Sequence, residues 1–149
     1  MKIGFIGLGN IGVHFGTRLV AAGHEVLVYD RSAAAVERLV SKGATAAASA
    51  RDIASQVEIV LLCLPMPRIV ADVAAEVAEG GKVRIVVDLS TTGPSVTKEV
   101  EAMLAKKNIA LVGAPVSGGT ANAEKGALAV MPAGPSVAFE EVEPLLKVI

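Results

Sequence analysis

Residues 2–30 read KIGFIGLGNIGVHFGTRLVAAGHEVLVYD. Ile3, Phe5 and Ile6 form a short apolar run of strand character. Gly7-Leu8-Gly9-Asn10-Ile11-Gly12 then fits G-x-G-x-x-G. A helical segment follows, beginning near Asn10, with Ile11, Phe15, Leu19 and Ala22 spaced along one face. Gly23 stops it. Val26 to Tyr29 make a second strand, and Asp30 sits at its end. A strand, a tight glycine turn, a helix and a second strand ending in a carboxylate form the dinucleotide-binding fingerprint. Gly7 allows the turn, Gly9 lets a pyrophosphate approach the backbone, and Gly12 lets the helix pack on the sheet. The helix start favours an anion. Asp30 offers acceptors to the adenosine ribose.

Working outward, the pattern repeats. Ser32 to Lys42 reads as a helix capped by Ser32 and ended by Gly43. Ala44 to Ala47 is a short strand, and Ser49 to Ser55 a short helix capped by Ser49. Val57 to Leu64 is a nearly continuous apolar strand, as in a parallel sheet covered on both faces. Ile69 to Ala78 is helical, Val83 to Leu89 a strand, Thr92 to Lys107 a helix and Ile109 to Val112 a strand. A short helix is predicted within Thr120 to Lys125, a strand at Leu128 to Met131 and a last helix at Ser136 to Leu146. The alternation predicts an α/β fold: a doubly wound, mainly parallel, Rossmann-type sheet.

The 149 residues suit one domain, 1–149. At 52% hydrophobic and 19% charged the chain has the composition of a packed core. Only 3% is aromatic, so that core is built from Val, Leu, Ile and Ala. A net charge of −1 gives no reason to expect nucleic acid or an anionic membrane. The longest apolar run, Ile59 to Met66, is too short to span a bilayer. The N-terminus enters a strand at once, with no room for a signal peptide. Cys63 is the one cysteine, which excludes a disulfide framework and a Cys-based metal cluster; its apolar setting predicts a buried, inert thiol. A cytoplasmic location is the expectation.

The strings GFIGLGNIG, GHEVLVYDRS, CLP, VDLSTTGP and APVSGGTANAEKGALAVM occur in that order. Together they resemble the nucleotide-binding half of the β-hydroxyacid dehydrogenases, which include 3-hydroxyisobutyrate, tartronate semialdehyde and 6-phosphogluconate dehydrogenases. The resemblance covers essentially the whole chain. It implies NAD as cofactor, with NADP possible, and a small β-hydroxyacid such as 3-hydroxyisobutyrate as substrate. It implies that Leu8, Gly9, Asn10 and Ile11 line the pyrophosphate, and that Asp30, Arg31 and Ser32 surround the adenosine ribose. Leu64 and Pro65 would touch the adenosine side, and Thr91 the nicotinamide end. Ser117, Gly118 and Gly119, on their own an ordinary turn, would hold the substrate carboxylate. A homo-oligomer is also implied.

There are departures. Gly113 stands where the family usually has Asp, His14 where it has Pro, and Ile69 where some relatives have a cofactor-contacting Asn. Met131-Pro132-Ala133-Gly134 is similar to the 6-phosphogluconate branch. His14 reads as solvated and His24 as structural. The family's proton-transfer lysine lies in a second, helical domain within G-x-x-x-K-x-x-x-N, a pattern missing from these residues. Lys106, Lys107 and Lys125 read as solvated. The resemblance therefore implies no catalytic residue in this chain and one domain of a two-domain enzyme. Leu145 to Ile149 reads as the start of another element, leaving an apolar face near it and Val116 to Gly119 uncovered. The alternatives are a non-catalytic dinucleotide-binding module and the cofactor domain of a 6-phosphogluconate dehydrogenase or of an imine reductase relative. The intact Ala114-Pro115-Val116-Ser117-Gly118-Gly119 argues against the imine reductase.

Overall fold

A computed structural model describes residues 1–149. Six strands, β1 (Lys2–Ile6), β2 (Glu25–Tyr29), β3 (Thr45–Ala46), β4 (Ile59–Leu62), β5 (Ile85–Asp88) and β6 (Ala110–Gly113), form one sheet in the order β3-β2-β1-β4-β5-β6. Every pairing in it is parallel. This is the doubly wound order, with the chain reversing direction between β1 and β4.

Period-two alternation sends each strand's side chains to both faces. Ile3 and Phe5 of β1, Ile59 and Leu61 of β4, and Ile85 and Val87 of β5 lie on one face. There they meet α1 (Gly12–Ala21), α2 (Ala33–Val40) and α7 (Ser136–Leu146). Ile6, Val60, Leu62 and Val86 point the other way. They meet α3 (Ala50–Gln56), α4 (Pro67–Ala78) and α5 (Pro94–Ala105). Burial on both faces is why the central strands read as unbroken apolar runs. Aliphatic side chains supply most of the core, with Phe5 and Phe15 its two large aromatics.

Two helices start at the caps that the sequence predicts. The Ser32 hydroxyl accepts from the Ala35 amide at 3.3 Å, capping α2. The Ser49 hydroxyl accepts from the Asp52 amide at 3.0 Å, and the Asp52 carboxylate reaches back to the Ala48 amide at 2.9 Å. These bonds satisfy amides that have no partner inside the helix.

Four expectations change. The helix after the glycine turn begins at Gly12, and its buried face is Gly12, Phe15, Gly16 and Leu19. Ala22 is exposed, because it caps the helix C-terminus and so leaves the packed face. Leu128 to Met131 does not add a strand to the main sheet. Ala129–Val130 (β8) pairs antiparallel with Val116–Ser117 (β7) in a separate ribbon that brackets α6 (Gly119–Lys125). Lastly, Leu145, Leu146 and Ile149 are not an uncovered face; they are buried in the same core as Phe15 and Leu19.

Candidate functional site

At the carboxyl edge of the sheet, the connection after β1 leaves over one face and that after β4 over the other. The gap between them is a cleft of about 440 Å³. Gly7, Gly9, Asn10, Ile11 and Gly12 line it from the first turn. Tyr29, Asp30 and Arg31 line it from the end of β2, and Cys63, Leu64 and Pro65 from the end of β4. Ile69 and Val73 of α4 add an apolar wall.

The three glycines of the turn differ in why they must be small. A Cβ on Gly7 would lie 2.2 Å from the Cys63 carbonyl oxygen, and one on Gly12 would lie 2.0 Å from that of Gly7. Both are demanded by the protein's own packing. A Cβ on Gly9 would meet no atom within 4 Å. Nothing in the fold requires glycine there, and the space beside its backbone opens outward.

That space lies at an uncapped helix start. Ile11 is the N-cap of α1 and provides no side-chain bond. The amides of Asn10, Ile11 and Gly12 have no acceptor within the protein. Unpaired amides at the positive end of a helix dipole are a preformed anion cradle.

Asp30 is held on both oxygens. The Leu8 amide donates to Oδ2 at 2.7 Å, and the Ser32 amide to Oδ1 at 2.7 Å. The carboxylate thus staples the glycine turn to the end of β2. Each oxygen keeps one acceptor site for a hydroxyl.

The remaining residues singled out from sequence lie elsewhere. The Leu8 side chain is fully buried, and its amide belongs to Asp30. Ser32 is exposed, its hydroxyl turned to capping. Thr91 lies on a second hollow beside β5, shared with Asp88, Ser90, Thr92 and Thr97. Ser117, Gly118 and Gly119 are exposed where β7 passes into α6, outside both hollows. The Gly118 carbonyl is fixed by the Asn122 side-chain amide at 2.7 Å. Tyr29, Val73 and Asp88 were not singled out from sequence. A carboxylate ending an apolar run, as Asp30 and Asp88 both do, is the signal that was available.

Cys63 lines the cleft as a thiol pushed up to about 12, first by burial and then by the Asp88 charge. At pH 8 it is therefore far less ionised than an ordinary cysteine. Alkylation by iodoacetamide is expected to be much slower in the native protein than in urea. Rapid labelling of the native chain would show the thiol to be free. The folded thiol ionises later than the unfolded one. Its contribution to stability is therefore complete below pH 9 and lost as the pH rises towards about 12.

A doubly wound sheet, a glycine turn on an uncapped helix and a stapled carboxylate define a dinucleotide-binding domain. Known proteins narrow the class. The model of the NAD binding domain of 6-phosphogluconate dehydrogenase matches residues 2–149. The NAD-dependent L-serine dehydrogenase of Pseudomonas aeruginosa is 36% identical over 98% of this chain and 50% of its own length. The mitochondrial 3-hydroxyisobutyrate dehydrogenase of Drosophila melanogaster is 35% identical over 98% of this chain and 46% of its own. The structure of Mycobacterium tuberculosis 3-hydroxyisobutyrate dehydrogenase with L-serine superposes with a TM-score of 0.92. It has 29% identity and covers 98% of this chain and 50% of that one. The chain belongs to the β-hydroxyacid dehydrogenase family, within its NAD-binding domain. It spans about half the length of the curated relatives it matches. No helix is long and apolar enough to cross a membrane.

Proposed function

We propose that the cleft between β1 and β4 binds NAD in preference to NADP, and that the whole protein oxidises a small β-hydroxyacid of the 3-hydroxyisobutyrate type. The observation that carries this reading is the open space at Gly9 beside three unpaired amides. Those amides, from Asn10, Ile11 and Gly12, take the pyrophosphate. Asp30 takes the ribose hydroxyls on its two remaining acceptor sites. Leu64, Pro65 and Ile69 exclude water along the apolar wall. NAD supplies the hydride acceptor when bound. The Ser117 hydroxyl and the amides of Gly118 and Gly119, both at positive φ, face solvent and suit a carboxylate. The proton-transfer lysine belongs to a second domain, as do the contacts of a homo-oligomer. The cytoplasm is the proposed location.

Titration with NADH, followed by fluorescence, tests the reading. NADH is expected to bind about tenfold more tightly than NADPH, because a 2′-phosphate meets the Asp30 carboxylate at close range. Arg31 lines the same cleft and offsets part of that repulsion. Asp30→Ala should narrow or reverse the ratio, since it removes the ribose acceptors that favour NADH together with the charge that repels NADPH. Tighter binding of NADPH by the unmodified chain would reverse the assignment. Oxidation of 3-hydroxyisobutyrate by these residues alone should be undetectable; efficient turnover would place the proton donor among them.

A further inference from the structure

Asp88 ends β5 and is only 4% exposed. None of the molecule's ion pairs includes it. Its Oδ1 accepts from the Ser90 amide at 3.0 Å, and its Oδ2 from the Thr92 hydroxyl at 2.5 Å. The Ser90 hydroxyl in turn accepts from the Leu64 amide at 2.9 Å. A short chain of bonds therefore runs from β5 to the loop that walls the cleft after β4. Ser90 and Thr92 are buried, and Thr91 between them is exposed.

A turn at a strand end can be closed by a neutral Ser or Asn. Burying a carboxylate without a cation is a costly alternative. What the charge adds is a short bond to the Thr92 hydroxyl beside an ordinary one to the Ser90 amide, and together these fix the residues on both sides of Thr91. Through Ser90 it also fixes the backbone of Leu64. The strand order sets the ends of β2, β1, β4 and β5 in a row. With the ribose at Asp30 and the pyrophosphate at α1, the rest of a dinucleotide continues along that row towards Thr91, past the end of β5.

We propose that Asp88 is a positioning residue for the nicotinamide half of the cofactor, acting through Thr91. This rests on the dinucleotide reading above. ADP-ribose separates the two, because it keeps the adenosine and pyrophosphate and lacks the nicotinamide. In the full 149-residue chain, Asp88→Asn should weaken NADH about tenfold and change ADP-ribose affinity by less than about twofold. Calorimetry gives both affinities, and a melting curve on the same samples reports the fold. Thr92→Val removes only the donor to Oδ2 and should act in the same direction; it carries the comparison if Asp88→Asn does not fold. Equal losses for both ligands, or unchanged NADH affinity in the folded variants, would overturn the role of Asp88 while leaving the cleft assigned. Failure of the unmodified chain to bind ADP-ribose would overturn the dinucleotide reading, and this proposal with it.

Discussion

Gly9→Val is expected to lower NADH affinity at least about a hundredfold while moving the melting temperature by no more than about 2 °C. The two halves of that result have separate causes. A Cβ at position 9 meets no protein atom within 4 Å, so the fold has little reason to object to a small side chain there. The same side chain occupies the space beside the unpaired amides at the start of α1, where the proposed pyrophosphate must touch the backbone. Calorimetric titration beside a thermal melt measures both. Unchanged affinity would place the phosphate elsewhere on the molecule.

Gly12→Ala is expected to do the opposite and destabilise the domain by about 3 kcal/mol, or roughly 10 °C in melting temperature. Two effects compete at this position. Gly12 is the first residue of α1, and alanine is the better helix former by about 1 kcal/mol. The added methyl group, however, would sit 2.0 Å from the Gly7 carbonyl oxygen and 3.3 Å from the Phe5 ring. The obstruction at Gly7 is backbone in a turn that is itself wedged against Cys63, so it has nowhere to retreat. Close contact wins over propensity. A urea denaturation midpoint equal to or above that of the unmodified chain would show that α1 can shift outward without loss.

The motif itself assigns Gly9 to the ligand and Gly12 to packing, and the surrounding atoms agree: a Cβ on Gly12 meets the Gly7 carbonyl, and one on Gly9 meets nothing. What the sequence could not supply is the partner each glycine packs against. The sheet was legible because burial on both faces writes itself as unbroken runs such as Ile59 to Leu62, punctuated by glycine and proline. Leu128 to Met131 carries the same apolar mark but pairs with Val116 and Ser117 instead. A short apolar run states that it is covered, not by what. The apolar tail was misread for the same reason, since its cover is α1, far away in sequence. Asp30 was legible by its place after an apolar run. Its grip on the Leu8 amide was not, because that bond spans two strands.

The tail has a kinetic meaning as well. The Arg18 Nε of α1 donates to the Val148 carbonyl at 2.7 Å, across 130 positions, and its guanidinium lies against Gly126 at the end of α6. The helix that begins at the glycine turn is made early during synthesis, yet its outer side is closed by some of the last residues of this stretch. Long-range closure of this kind slows folding. A chain emerging from the ribosome can form the β1–α1–β2 unit but cannot seal α1 until Ile149 has cleared the exit tunnel. Until then the core that Ile149 shares with Phe15 and Leu19 stays incomplete.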